Sequence, residues 1–169
     1  MQLVSLAIRL AVLCVLLWLA VIDVRSRRLP TKLVLVVGVL FFADAFIVHI
    51  SLGELMVHFA MALVVFLVCA GLFAAKMLGG GDAKLAAMIF LWAGLHLSWP
   101  ALTLISVIGT VVSLISLATR NMDRHHRLAP MRALAMFSSE RGVPYGVALA
   151  AGGGTVIILP ALLPLILTR

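Results

Sequence analysis

The run LVSLAIRLAVLCVLLWLAVI, residues 3–22, decides the fold class because it carries a single charge, Arg9, in 20 residues. A helix that crosses the hydrocarbon core of a membrane needs about 20 mostly apolar residues. Five further runs of this kind follow, at roughly 32–50, 55–75, 82–99, 101–119 and 145–167. The sequence therefore predicts an all-α integral membrane protein of about six transmembrane helices.

The composition points to the same class. The chain of 169 residues is 64% hydrophobic and 11% charged, with a mean hydropathy of +1.25. Soluble domains contain about 45–50% apolar and about 25% charged residues, so an ordinary soluble protein is excluded. The length predicts a single membrane-embedded domain over residues 1–169. Because the first run leads into charged residues without a small-residue cleavage site, we interpret it as a retained helix and not as a signal peptide.

The formal net charge of +7 follows the expected topology. Eleven of the 13 lysine and arginine residues fall in three segments, 25–32, 76–84 and 120–141, which share one side of a six-helix topology. Basic loops mark the cytoplasmic side, so we expect both termini outside the cytoplasm, in a bacterial-type inner membrane. The basic residues are then expected to contact anionic membrane lipids, and binding to nucleic acid is not expected.

Two of the six acidic residues stand where apolar runs meet the cytoplasmic side: Asp23 ends the first run, and Asp82 begins the fourth. Two neighbouring carboxyl groups do not both ionise readily, so one retains a proton. Such a pair can hold a water molecule, with one carboxylate as general base and the protonated partner polarising a carbonyl group. This predicts a cytoplasm-facing active site that hydrolyses peptides without a metal ion. The helix dipoles favour Asp82 as its charged member.

Three glycines precede the second carboxylate in MLGGGDAKLAAM, residues 77–88. Glycine permits positive φ and the close approach of another chain, so we expect these glycines to leave room for an extended peptide. Asp82 is also a candidate N-cap for the helix that follows. The plain alternative is a turn with a helix cap, in which Lys84 only extends toward the membrane surface.

A second group of polar residues lies near the opposite membrane face. Asp44, in the second run, has His49 and His58 nearby, which could form a proton path. A proton-coupled transporter is therefore one alternative, although no matching pair of interrupted helices supports it. We interpret Asp44 as a side chain that extends toward the outer surface or is neutralised. A non-catalytic membrane subunit of a pilus or secretion assembly machine is the other alternative.

No metal ion or cofactor is predicted. Cys14 and Cys69 lie inside apolar runs and form no CxxC motif. A lone cysteine in such a run usually behaves as a small hydrophobic residue. Nor does any cluster of cysteine and histidine offer three ligands at the spacing that zinc requires.

Three short motifs occur in order along the chain. The first is Asp23 followed by the Leu-Pro-Thr turn at 29–31, the second is GGGDAKL at 79–85, and the third is PYG at 144–146. Together they resemble the motifs of the prepilin peptidases, which are membrane aspartic proteases of the GxGD type. The resemblance implies an aspartic endopeptidase with Asp23 and Asp82 as catalytic residues. It also implies substrate-binding or loop-shaping roles for Gly79, Gly80, Gly81, Lys84, Pro30, Pro144, Tyr145 and Gly146.

By this resemblance the substrates would be prepilins or pseudopilins, which carry an N-terminal leader ahead of a hydrophobic helix. The leader peptide bond would be cut at the cytoplasmic membrane face. The larger members carry a segment with cysteine pairs that is not found here. We therefore expect the short, peptidase-only branch that is associated with tight-adherence (Flp-type) pili. Thr31 stands where the family usually has Asn, so an amide hydrogen bond from that position is expected to be missing.

Overall fold

The computed structural model describes residues 1–118 and 145–167. This part of the chain is helical and contains no strand, which confirms the predicted fold class. Its helices are α1 (Gln2–Ser26), α2 (Thr31–Val48), α3 (Leu52–Ala74), α4 (Gly80–Ala93), α5 (Ser98–Ala118) and α6 (Tyr145–Leu167). The predicted basic segment 120–141 and Pro144 lie outside the described residues.

Five of these helices are long and apolar enough to cross a membrane, and α4 is the exception. It has 14 residues, a length of about 21 Å at about 1.5 Å per residue, whereas the hydrocarbon core is about 30 Å thick. The run predicted at 82–99 is shorter because α4 ends at Gly94, whose φ of 56° leaves the right-handed helical region. The chain then turns into α5 at Ser98.

The short helix α4 lies at the centre of the bundle. It packs against α2, α3, α5 and α6, while α1 packs against α2 and α6. Most of α4 is buried, and the side chains of Leu85 and Ile89 are fully enclosed. Since burial against other helices satisfies its apolar surface, α4 does not need the full length of a lipid-exposed span. Its N-terminal end, which carries Asp82, is consequently held inside the bundle.

Close helix packing depends on the glycines at 152–154 in α6. A Cβ atom at any of the three would lie 2.7–2.8 Å from an atom of a neighbouring helix. Gly152 faces Ile105 of α5, Gly153 faces Ile89 of α4, and Gly154 faces Leu13 of α1. Small residues at helix interfaces permit this approach, and α6 thereby fixes the positions of three other helices.

Candidate active site

The first carboxyl group of the site belongs to Asp23 in the last turn of α1. Asp23 is only 6% exposed, and its Oδ2 accepts a hydrogen bond of 2.9 Å from the backbone N–H of Gly146 in the first turn of α6. A Cβ atom at residue 146 would lie 2.8 Å from the same oxygen. Gly146 therefore lets the start of α6 approach the carboxyl group directly. Arg27, which ends α1, also interacts electrostatically with Asp23.

The second carboxyl group belongs to Asp82 in the first turn of α4. The N-cap of this helix is Gly79, so the prediction of Asp82 as the N-cap is wrong. The reason is that the two intervening glycines already have helical conformation, which makes Asp82 the third residue of the helix. From there its carboxyl group accepts a hydrogen bond from the Gly79 backbone, as acidic residues at this position often do. The other oxygen, Oδ1, is buried without a hydrogen-bond partner among the described residues.

The glycines before Asp82 act through close contact and not through positive φ. Gly94 is the glycine with positive φ in the described part of the chain, so that part of the prediction for residues 79–81 is wrong. A Cβ atom at Gly79 would lie 2.6 Å from Oδ2 of Asp82, and one at Gly81 would lie 2.9 Å from Cβ of Leu29. The missing side chains thus leave space for the Asp82 carboxyl group and for the turn between α1 and α2.

Asp23 and Asp82, from distant parts of the sequence, interact electrostatically in the fold. Burial, and after it the negative charge of Asp23, raise the pKa of Asp82 to about 6, while the hydrogen bond from Gly79 opposes the shift. A neighbouring carboxylate has this effect because the two groups resist ionising together. The structure thus places within electrostatic range of each other the two carboxyl groups that the sequence predicts at one end of the bundle.

The structure favours a different proton distribution from the one expected from helix dipoles. Asp82 was expected to be the charged member because it begins a helix. Asp82 does lie in the first turn of α4, but its Oδ1 is buried without a hydrogen-bond donor among the described residues. The effect of this burial on the pKa of Asp82 outweighs the effect of the helix terminus. Asp23 has both the Gly146 N–H and the neighbouring guanidinium of Arg27 to stabilise a negative charge. The arrangement therefore favours Asp82 as the protonated member of the pair.

The turn after Asp23 is joined to the start of α4. Pro30 is the N-cap of α2, and its carbonyl oxygen accepts hydrogen bonds from the N–H groups of Leu33 and Val34. The Lys84 ammonium group donates a hydrogen bond of 3.3 Å to Oγ1 of Thr31. The threonine that replaces the usual asparagine therefore does form a polar contact, and this contact links the first two motifs.

An apolar groove adjoins the site, and sequence reasoning missed it. It has a volume of about 600 Å³ and lies between α3 and α5, over α4. Asp82 and Tyr145 are among the residues that line it. The groove exists because α3 and α5 both pack on α4 but stand apart on either side of it. That separation depends on the packing of whole helices and leaves no mark in the local sequence.

Of the two alternatives given for Asp44, extension toward the outer surface is wrong, and the carboxylate is instead neutralised by a neighbouring cation. Asp44 is 4% exposed, and its Oδ2 lies 3.0 Å from Nη2 of Arg9. Arg9 also donates a hydrogen bond of 3.0 Å to the carbonyl oxygen of Ile157. The ion pair thus connects α1, α2 and α6, because a buried carboxylate needs a partner of opposite charge. Sequence analysis missed this pairing, although Arg9 and Asp44 both lie toward the predicted outer ends of their runs.

The two histidines considered with Asp44 have separate partners. His58 Nδ1 lies 2.7 Å from the carbonyl oxygen of Leu91, and its ring packs against Phe41. His49 ends α2 and is exposed, with Nδ1 2.7 Å from the carbonyl oxygen of Phe46. These contacts tie both rings to backbone carbonyl groups, and they give no support to a proton path through Asp44.

A family model for type IV leader peptidases matches residues 10–114, a segment that contains both Asp23 and Asp82. The chain belongs to the type IV leader peptidase family. This confirms the family inferred from the three motifs. The protein is accordingly a membrane protease of the prepilin leader peptidase kind, and neither a curated protein nor a solved structure matches it.

Proposed function

We propose that this leader peptidase is an aspartic endopeptidase in which Asp23 and Asp82 activate the attacking water. The observation that carries the proposal is the electrostatic interaction between the two carboxyl groups. Asp23 lies in the last turn of α1 and Asp82 in the first turn of α4. Each belongs to one of the motifs that resemble those of the family. In a dyad of this kind the unequal protonation of the two groups supplies an acid and a base at one pH.

In the proposed reaction, the ionised carboxylate of Asp23 takes a proton from a water molecule held between the two side chains. The protonated carboxyl group of Asp82 donates a hydrogen bond to the carbonyl oxygen of the substrate peptide and so polarises it. Water attacks the carbonyl carbon, and Asp23 then passes the proton it took from the water to the amide nitrogen, so that the C–N bond breaks, the amine leaves and both carboxyl groups regain their starting protonation states. The cycle uses neither a metal ion nor a covalent intermediate, so EDTA is expected to leave the activity unchanged.

We further propose that the substrates are prepilins or pseudopilins of the Flp type, cut between their leader and their hydrophobic helix. The distribution of basic residues supports an inner-membrane location with both termini outside the cytoplasm and the dyad at the cytoplasmic face. Anionic lipids would contact the basic loops. The whole chain, residues 1–169, would form one membrane-embedded peptidase domain.

The proposal is tested by removing each carboxyl group while keeping its size. Asp23→Asn and Asp82→Asn should each reduce cleavage of an Flp-type prepilin by at least the factor of about 10²–10⁴ that a general base supplies. Glu54→Gln is the matched control, since it removes an exposed carboxylate from the N-terminus of α3, where glutamine also supports a capping box. Cleavage near the wild-type rate by either Asp variant would refute the proposed dyad.

A further inference from the structure

A second cavity shares Tyr145 with the groove. It is a cleft of about 390 Å³ that follows α5 over residues 105–117. Tyr145 lines both this cleft and the groove that contains Asp82. The residue after Tyr145 is Gly146, whose N–H binds the carboxyl group of Asp23. The inner end of the cleft therefore lies beside the proposed dyad.

The cleft is lined with hydroxyl groups. Three of them belong to α5, and their spacing places them on one face of the helix: Ser106, Thr110 and Ser113. Tyr145 adds its phenol hydroxyl group. The Thr110 hydroxyl donates a hydrogen bond to the carbonyl oxygen of Ser106, so its lone pairs can still accept hydrogen bonds. Water inside a protein needs about two to four polar partners and about 30 Å³ per molecule, and the cleft supplies both for several molecules.

The cleft also has the direction that a water path requires. A Cβ atom at Gly109 of α5 would lie 3.7 Å from Cε1 of Tyr145, and Gly152 of α6 lies against Ile105. The two helices are therefore antiparallel, and α5 continues past the start of α6 to Ala118. This extension is about nine residues, or about 13 Å at about 1.5 Å per residue. The cleft thus runs from the level of the dyad toward the end of α5, which the distribution of basic residues predicts on the cytoplasmic side.

Other approaches to the dyad are restricted. Asp23 is only 6% exposed. The turn between α1 and α2 packs on the start of α4, where a Cβ atom at Gly81 would lie 2.9 Å from Cβ of Leu29. On the groove side, the peptide substrate must itself lie against Asp82 for its bond to be cut. Once a peptide is bound, the cleft still leads to Tyr145 without crossing the groove.

We propose that the cleft holds water and supplies the hydrolytic water to the dyad, with Tyr145 at its inner end. The inference rests on the proposed function, because it gives a route to the water molecule that Asp23 activates. Water and peptide reach the dyad from different sides of Tyr145, so a bound peptide does not stop the supply. The hydroxyl groups keep water at a depth where a purely apolar cavity would remain dry.

Cysteine labelling in lipid bilayers shows whether the cleft holds water. Both native cysteines are first replaced by serine. Ser113→Cys then places a thiol in the cleft, whereas Val111→Cys places one at a half-exposed position of α5 that is not among the described lining residues. A thiol reacts as its thiolate, and burial in hydrocarbon suppresses this ion.

We expect a charged, water-soluble methanethiosulfonate to label the Ser113→Cys variant about tenfold or more faster than the Val111→Cys variant, because only the first thiol can ionise in contact with water. Equal rates of labelling would mean that lipid fills the cleft, and they would overturn the inference.

Filling the cleft tests whether its water is used. Ser113→Phe places a bulky side chain in the cleft, and Val111→Phe is the matched control outside it. With a full-length Flp-type prepilin, Ser113→Phe should lower kcat by about tenfold or more and leave KM within about twofold, because the loss falls on a step after peptide binding. Val111→Phe should change neither constant.

A reversible block separates this effect from misfolding. Attaching the methanethiosulfonate group to the Ser113→Cys variant fills the cleft of a protein that is already folded. We expect kcat to fall on labelling and to return when dithiothreitol removes the group. An unchanged kcat after complete labelling would overturn the inference.

The two proposals fail in different ways. If the wild-type protein does not cleave the prepilin, the proposed function is wrong, and the water route falls with it. If the wild type cleaves it but Ser113→Phe keeps the wild-type kcat, the dyad stands and the water route is wrong. A raised KM with an unchanged kcat would assign the cleft to the peptide and would likewise overturn the inference.

Discussion

Replacing Gly146 by alanine should misplace the Asp23 carboxyl group without removing any polar side chain. The added Cβ atom would lie 2.8 Å from Oδ2 and 2.9 Å from Cγ of Asp23, which is closer than these atoms can approach. The carboxyl group must therefore move, and it loses its 2.9 Å hydrogen bond from the residue 146 N–H. A hydrogen bond to a charged group is worth about 1.5–3 kcal/mol. At about 1.36 kcal/mol per tenfold change in rate, kcat/KM should fall by about 10- to 150-fold.

The assay is the initial rate of prepilin cleavage by purified Gly146→Ala protein, followed by the mobility shift of the substrate. Gly71→Ala is the matched control, because a Cβ atom there would meet nothing within 4 Å and alanine favours a helix. The control should keep the wild-type rate. If Gly146→Ala were folded and cleaved prepilin at more than half of the wild-type rate, the reasoning that Gly146 positions Asp23 would be refuted.

Two further predictions concern the charges of the bundle. In Asp23→Asn the pKa of Asp82 should fall below its value of about 6, because the second cause of its elevation, the Asp23 charge, is gone. Infrared titration of the protonated carboxyl band checks this, and an unchanged or higher pKa would contradict the interaction. Asp44→Asn should destabilise the protein by about 3–5 kcal/mol, since it leaves Arg9 without its buried partner. Urea unfolding in micelles measures the free energy of unfolding. The double variant Arg9→Met, Asp44→Leu should recover much of the lost stability. Equal stability of Asp44→Asn and wild type would contradict the structural role of the ion pair.

The helices could be predicted from the sequence because each apolar run is long enough to identify a membrane helix by itself. The exception is instructive. The fourth run was long enough, yet α4 stops at Gly94, whose positive φ ends the helix, and burial of most of α4 makes a full-length span unnecessary. Local hydropathy does not reveal whether an apolar residue meets lipid or protein, so the length of a central helix depends on the tertiary packing.

The pairing of Asp23 with Asp82 could be predicted because topology alone places both residues at one end of the bundle. The same topology places Arg9 near Asp44, and that pair was missed because Arg9 was considered only as the single charge of the first apolar run. The role of the glycines at 79–81 could be predicted only in part. A glycine in a sequence indicates either a positive φ or the close approach of another part of the chain. Which of the two applies depends on the neighbouring atoms in the fold.

The groove and the Gly146 contact required the structure. A hydrogen bond from the start of α6 to the end of α1 joins residues 123 positions apart, and no sequence periodicity reports such a distance. The same holds for the groove between α3 and α5. Sequence motifs therefore predicted the proposed reacting groups, whereas the positions of the groups around them depend on helix packing.

The central claim is that Asp23 and Asp82 act as one catalytic unit, and a double-mutant cycle tests it most directly. The measurement is kcat/KM for prepilin cleavage by the wild type, Asp23→Asn, Asp82→Asn and the double variant, all purified and shown to be folded. Residues that work as a unit give strongly non-additive losses, so we expect the double variant to be no more than a few-fold slower than either single variant. If the two losses multiplied, the carboxyl groups would act independently, and the proposed dyad would be wrong.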